Sequence, residues 1–418
     1  MNNIGYACLT VAVPGTTIKN CMLKSATPEH LMSLIGHNLH ALEKIIDYNI
    51  KNQIVLFRIS SDLIPFGSSL AYDLPWETAF GEILSRIAGK IRRSGMRVSM
   101  HPGQYTVLNS PDPGVVLRAG ADLSYHAKVL DSLGLSREHK IVLHLGGVYG
   151  DKRLAKDRFL TAWQNLPQGV KDRLVLENDG VSYTIADVLE TAQTAQIPVI
   201  YDNLHNACNP SPGDLPDLHW IKACAPTWKN GHGRQKIHYS QQAAGKKIGA
   251  HSETIGLTEF LDYYQPLAAL DLDIMLEVKD KNISALKCLN CTSPRSMVNL
   301  EQEWARYKYH ILEHSANSYQ AIRQLLRDKT AYPALPMYSL IENASQLPIE
   351  TGGAVNAAQH VWGYFKDTAT AAEKTRYQTL ITAFTAGETE LITLKNHLYR
   401  LAVKYQEAYL LNSYYFYL

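Results

Sequence analysis

Arg97-Val98-Ser99-Met100-His101-Pro102-Gly103-Gln104-Tyr105-Thr106-Val107-Leu108-Asn109-Ser110-Pro111 is the stretch from which the fold can be read. Its first four residues are strand-like, and His101 stands where that strand gives way to a loop. Pro102 fixes its own φ and Gly103 accepts almost any, so the chain is expected to turn at once. Gln104 and Tyr105 then sit side by side on a stiff turn, an amide next to an aromatic ring. Taken alone, this is a strand-end histidine followed by a surface turn. Its weight comes from repetition, because a ligand-type residue ends strand after strand along the chain.

Working outward, strand-type runs fall at 4–8, 53–59, 97–100, 140–144, 174–177, 198–202, 236–239 and 273–277. Helical patterns separate most of them. Residues 28–48 place Leu31, Leu34, Ile35, Leu39, Leu42, Ile45 and Ile46 at helical spacing. Further helices are expected at 76–93, 114–133 and 184–192, and around Arg158, Phe159 and Trp163. The strands are apolar and mostly do not alternate, as in a parallel sheet buried on both faces. Eight such units predict an α/β fold, a (β/α)8 barrel of the TIM type. An open doubly wound sheet is the alternative, but no Gly-rich dinucleotide loop supports it.

Beyond Leu300 the pattern changes to helix-type segments at 301–327, 364–386 and 388–409 with no strands between them. The tyrosines of 405–418 are expected to pack those helices. The reading is a barrel domain over 1–295 and an all-α C-terminal domain over 300–418. Cys291-Thr292-Ser293-Pro294-Arg295 joins them.

Composition narrows the class. Apolar residues make up 46% and charged residues 19% of 418, ordinary for a globular protein. A net charge of +2 gives no global basic field, so a nucleic-acid surface has to be local. No apolar run reaches membrane-spanning length and no signal peptide is evident, so membrane association is not expected. Six cysteines in a chain this long do not form a disulfide framework, which points to the cytoplasm. Cys288 and Cys291 form one CxxC without a second pair at zinc-ribbon spacing, and read as two thiols.

His101, His144, Glu177, Asp202, His238 and Glu277 all stand at C-terminal strand ends, with His205 just after Asp202 and His251 in the loop after the seventh strand. In a parallel barrel these ends converge on one face. A single strand-end His or Asp commonly caps a helix or bonds a neighbouring backbone. Five imidazoles and three carboxylates brought together would repel or remain unpaired without cations, and divalent metals resolve that cost. Mixed ligands of this kind suit manganese or zinc. Clustered ions of this type are equipment for phosphodiester hydrolysis.

The chain resembles the ultraviolet DNA damage endonuclease family over the whole barrel. The motifs are Gly5-Tyr6-Ala7-Cys8, Phe57-Arg58-Ile59-Ser60-Ser61-Asp62, the 101–111 stretch, and His144-Leu145-Gly146-Gly147-Val148-Tyr149-Gly150-Asp151-Lys152. They continue with Glu177-Asn178-Asp179, Asp202-Asn203-Leu204-His205, Lys236-Ile237-His238-Tyr239-Ser240 and Leu276-Glu277-Val278-Lys279-Asp280-Lys281.

The resemblance implies nicking of damaged double-stranded DNA 5′ to pyrimidine photoproducts and some other lesions. It also implies two or three divalent ions per chain, manganese first and zinc second. His101, His144 and Glu177 would hold one ion. Glu177 would bridge to a second held by Asp202, His238 and Glu277, and His205 with His251 would hold a third. Glu177, Lys236 and His238 would carry the chemistry, Lys236 in a form that can be carboxylated. Gln104 and Tyr105 would enter the lesion, with Tyr6 and Asn109 as further DNA contacts.

Two departures stand out. The loop Pro65-Phe66-Gly67-Ser68-Ser69-Leu70 lacks a histidine usual in the family, which weakens one ion's ligand set, and position 10 is Thr10 where Asn is common. Residues 308–326 and 360–374 resemble the YbgA-like helical family of unknown function, a resemblance that brings no mechanism, and a scaffold or a surface for a protein partner is expected there ahead of a second catalytic activity. An apurinic-site endonuclease, a sugar isomerase on the same barrel and a non-catalytic damage sensor remain as alternative readings.

Overall fold

The strand-type runs pair in sequence order, every pair parallel, and the last closes on the first. The computed structural model describes residues 2–418 except Asp214, Asn230 and Pro294, so the expected joint at 291–295 includes one residue outside the described set. The strands are β1 (Asn3–Cys8), β2 (Leu56–Ile59), β3 (Arg97–Met100) and β4 (Lys140–His144). They continue with β5 (Leu174–Glu177), β6 (Val199–Asp202), β7 (Gln235–Tyr239) and β8 (Leu272–Leu276). A helix follows each: α1 (Pro28–Lys51), α2 (Gly81–Ser94), α3 (Pro113–Ser132), α4 (Lys152–Gln164), α5 (Ile185–Ala195), α6 (Asp217–Cys224), α7 (Leu257–Tyr264) and α8 (Asn282–Thr292). This is the barrel expected from the strand and helix periods, and the open sheet is excluded.

Local chemistry sets the helix ends. Thr27 caps α1 through the His30 N–H, with Pro28 in the first turn, and a Thr184–Asp187 capping box opens α5. The 76–93 pattern is two helices, Trp76–Ala79 and α2, because Phe80 leaves helical geometry between them. Inside the barrel, Val142, Val175 and Ile200 form one fully buried cluster, and Ala7, Leu56 and Met275 another. An ionic layer closes the N-terminal end, where Arg97 meets Asp273 at 2.6 Å and Lys140 Nζ lies 2.8 Å from His232 Nδ1.

By packing, the chain divides into two units: residues 1–10 with 15–286, and residues 11–14 with 287–418. The division falls inside α8, ahead of the 291–295 joint suggested by the sequence. The second unit carries α9 (Met297–His314), α10 (Ala316–Leu325), α11 (Ala334–Ser345), α12 (Thr351–Trp362), α13 (Ala371–Thr385) and α14 (Leu391–Lys404). The pattern at 301–327 is α9 and α10 with a corner at Ser315, whose side chain caps α10. Thr370 and Glu373 form a capping box that starts α13 later than the apolar pattern does. Periodicity barely announces α12, because its buried face is Ala354, Ala357, Ala358 and Val361 after two glycines. Tyr415 belongs to this unit's buried core, as the terminal tyrosines were expected to.

Cys288 and Cys291 lie on α8 and form no disulfide. No described helix is long and apolar enough to cross a membrane.

Candidate metal centre

Strand register builds the centre. His144 stands opposite Glu177 across β4 and β5, and Asp202 opposite His238 across β6 and β7. Parallel neighbours that end in register deliver their last side chains to one mouth, and Glu177 lies at its middle. His101 Nε2 is 3.0 Å and His144 Nε2 3.6 Å from Glu177 Oε2. On the other oxygen, Oε1, stand His238 Nδ1 at 2.7 Å and His205 Nδ1 at 3.6 Å. His238 Nδ1 also reaches Glu277 Oε1 at 3.2 Å, and His251 Nε2 lies 3.8 Å from Glu277 Oε2. Two triads emerge, His101–His144–Glu177 and Glu177–Asp202–His238, each with ligand atoms within 4.8 Å of one another. Glu177 is common to both. His205 and His251 approach different carboxylates.

The electrostatics are those of a site built for cations. Burial alone would raise the Glu177 carboxyl, but His238, His144 and His101 hold it well below its ordinary value. Burial pushes Asp202 up to about 6, with Glu177 and Glu277 adding to it against His205. Burial would lower His205, yet Asp202, Glu177 and Glu277 raise it to about 9. Asp202 Oδ2, His238 Nε2 and His144 Nδ1 are buried without a protein hydrogen-bond partner. Orphaned ligand atoms among three carboxylates fit divalent ions, because an ion answers both the unmet bonds and the charge.

Residues beyond the strand ends complete the centre. Asn178 brackets Asp202, donating to its carbonyl at 3.0 Å and accepting its N–H at 2.9 Å. The Asn178 carbonyl accepts from His205 Nδ1 at 2.9 Å, which leaves Nε2 to carry the lone pair. Arg58, inside a quoted motif but not expected at the site, pairs with Glu277 at 2.5 Å. Burial alone would raise the Glu277 carboxyl, but Arg58 and His238 hold it below its ordinary value. Removing one partner of a buried pair costs about 3–5 kcal/mol. Arg58→Met should therefore lower the melting temperature of the chelator-stripped protein markedly, and divalent ions should recover part of the loss. A melt unchanged from the parent would show that Arg58 does not compensate Glu277.

Beside the centre, Gln104 and Tyr105 are the exposed corner of a turn closed by Thr106 N–H to Gly103 carbonyl at 2.9 Å. Tyr105 is 76% exposed. Gly103 makes this turn without a left-handed φ. A Cβ there would lie 2.5 Å from the exposed Tyr105 ring and would displace it from its place over the turn. A cleft of about 480 Å³ runs from His101, His144 and His205 past Gln104 to Tyr149 and Asp179. Tyr149, half-exposed with Arg158 over its ring at 5.6 Å, is a further aromatic at the cleft.

Two expected DNA contacts are corrected. Tyr6 is fully buried and donates to Asn49 Oδ1 of α1 at 2.7 Å, so it points between barrel and helix. Asn109 is buried and braces loops, donating to the Gly147 carbonyl at 2.7 Å and to the Tyr183 hydroxyl at 3.2 Å. Strand alternation explains the first, and the turn's return into the core explains the second. Lys236 is fully buried with an unpartnered Nζ, and burial with Arg97 nearby drives its amine well below the ordinary lysine value. The Ser68-Ser69 loop lies along a cavity with Tyr105 and Tyr125.

A closed parallel barrel with a shared-carboxylate ligand cluster at its C-terminal mouth defines the class. Residues 2–304 match the family described as UV-endonuclease UvdE, and residues 308–418 match one described as Protein of unknown function (DUF1722). A protein of Clostridium perfringens (strain 13 / Type A) named UV DNA damage endonuclease is 37% identical over 384 residues, 90% of this chain and 92% of that one. A protein of the same name from Bacillus cereus (strain 03BB102) is 33% identical over 267 residues, 63% of this chain and 83% of its own. The crystal structure of SacUVDE superposes with a TM-score of 0.66 at 36% identity, covering 70% of this chain and 98% of that one. The chain belongs to the UV-endonuclease UvdE family.

Proposed function

We propose that this chain, a DNA repair endonuclease by its family, nicks duplex DNA 5′ to ultraviolet photoproducts and some other lesions with the help of divalent ions. One observation carries the reading: Glu177 is shared by two ligand triads at the barrel mouth, beside an exposed Gln104-Tyr105 turn. His101, His144 and Glu177 would hold one ion, and Glu177, Asp202, His238 and Glu277 a second. His205 and His251 would serve a third, whose ligand set lacks the loop histidine replaced around Ser68-Ser69. Manganese or zinc suits these ligands. Bound there, such ions lower the pKa of a water, hold the scissile phosphate and take up charge on the leaving oxygen.

The protein's own residues prepare that chemistry. Arg58 keeps Glu277 ionised, and Asn178 fixes the orientation of Asp202 and the tautomer of His205. The buried, unpartnered Lys236 Nζ, its basicity lowered by burial, supports the reading that it is carboxylated in use, which would turn it into an anionic neighbour of the ions. In this reading the barrel over 1–295 does the cutting, and the helical part over 300–418 is a scaffold or a surface for a protein partner.

The test is a nicking assay on irradiated and abasic duplexes of one sequence, with Mn²⁺ and Zn²⁺ supplied in turn to chelated protein. Metal-restored cutting of irradiated duplex is expected. Cutting confined to abasic duplex would make the chain an apurinic-site enzyme, and tight binding without cutting would make it a sensor.

Loading the centre should also release protons. A ligating His205 has to lose the proton that it holds below about pH 9, and Asp202 the one that it holds below about pH 6. At pH 7 roughly one proton should leave, mainly from His205, and affinity should rise with pH until both groups are deprotonated. Calorimetry in buffers of different ionisation enthalpy measures this directly. Proton-neutral loading at pH 7 would exclude His205 as a ligand.

A further inference from the structure

A second cluster of ligand-type residues lies in the helical unit, on α9, and none of it belongs to the barrel centre. His310, Glu313 and His314 stand at i, i+3 and i+4, one face of the helix, and each offers a ligand atom within 4.8 Å of the other two. The His310 and His314 rings are 4.7 Å apart. Their outer nitrogens are already engaged. His314 Nδ1 lies 2.7 Å from the Leu347 carbonyl, which can only accept, so that nitrogen carries the hydrogen and Nε2 the lone pair. His310 Nε2 lies 3.0 Å from Ser345 Oγ, leaving Nδ1 for the cluster. Hydrogen bonds of this kind orient imidazoles that ligate metals.

The plainer account is a structural ion pair. Glu313 Oε1 does accept from the buried Lys395 Nζ at 2.8 Å, and Lys395 sits 4.3 Å from the Tyr415 ring centre. That pair leaves two atoms unexplained. Glu313 Oε2 and His310 Nδ1 have no protein hydrogen-bond partner, in residues only 1% and 5% exposed. His310 Nδ1 comes no closer than 3.5 Å to Glu313 Oε1, at the outer limit of a hydrogen bond. A buried carboxylate oxygen without a donor is costly, and a cation is a group that Glu313 Oε2 and His310 Nδ1 could both bind when His310 Nε2 donates to Ser345 Oγ. The cluster is also closely packed: a Cβ at Gly353 of α12 would lie 2.5 Å from the Glu313 carbonyl oxygen.

We infer that His310, Glu313 and His314 form a binding site for one divalent ion of the zinc class, with two imidazole nitrogens and one carboxylate oxygen as ligands. Two histidines and one glutamate are an established zinc set, and they leave one tetrahedral position for water. His314 is only half-buried and supplies the route of entry. The order His-x-x-Glu-His also occurs in zinc hydrolases, where the glutamate is a base. Here the buried, Lys395-tied carboxylate is placed as a ligand.

The test titrates the chelated full-length chain with Co²⁺ alone, following ion stoichiometry and the visible band of tetrahedral Co²⁺. His310→Gln with His314→Gln should lose a single ion and that band, while the mouth of the barrel still loads. An unchanged stoichiometry and band in a folded double variant would overturn the inference. If circular dichroism shows that the double variant does not fold, His314→Ala decides the matter at the half-exposed ligand. Its weakest-lost Co²⁺ equivalent should bind at least about tenfold less tightly, and an unaltered titration would overturn the site.

Discussion

Glu177→Gln should reduce nicking of irradiated duplex by on the order of a thousandfold while the barrel stays folded. The amide keeps the shape and size of the side chain, and Val142, Val175 and Ile200 still fill the interior below it. What disappears is the single negative charge that His101, His144, His205 and His238 all approach. Both triads lose their common member at once, so metal content should fall together with rate. Losing an outlying ligand such as His251, which approaches only Glu277, should cost less. Metal analysis and single-turnover nicking on one preparation check the prediction. Near-parental turnover at saturating metal would remove Glu177 from the chemistry.

Replacing both Gln104 and Tyr105 with alanine should leave metal content unchanged and remove most discrimination between damaged and intact duplex. A photoproduct weakens stacking and pairing, so extruding the damaged bases costs less than extruding normal ones. A side chain that fills the gap converts easier opening into tighter binding. Aromatic stacking contributes about 1–3 kcal/mol per base, equivalent to roughly 5- to 150-fold in affinity. Tyr105 is free to do this because its ring stands over Gly103 and outside the core. The Gln104 amide can meet the orphaned bases opposite. Affinities for damaged and undamaged duplexes of one sequence, measured beside metal stoichiometry, give the answer. Lost metal, or an unchanged affinity ratio, would mean that the turn supports the centre and does not read the lesion.

Much of the barrel was legible because its physics is local. Apolar runs of strand length ended by His, Asp or Glu, and separated by helices, announce parallel strands whose ends share a face. From that follow His101, His144, Glu177, Asp202 and His238 without any structure. The helical unit was less legible. The α12 helix buries alanines behind two glycines, a weak apolar signal for a real interface, and Ser315 breaks one long pattern into two helices.

Tertiary structure decided whatever depends on direction and partner. A sequence motif that holds Tyr6 and Ala7 side by side does not say which faces the barrel interior, and the β1 pleat turns Ala7 inward and sends Tyr6 to Asn49. Asn109 follows an exposed turn in the chain but returns to the core, where Gly147 and Tyr183 take its amide. Arg58 carried no signal as a site residue, since an arginine in a strand acquires its role only when closure sets it against Glu277. The same holds for α9, where helical spacing aligns His310, Glu313 and His314. Only packing against Ser345, Leu347 and Lys395 leaves two of their ligand atoms buried and unmet. The sequence by itself determined which ligand-type residues end the barrel strands, because strand length and period are local properties. Which of them are paired, oriented or turned away was decided by closure of the barrel and burial, because those depend on contacts between residues far apart in the chain.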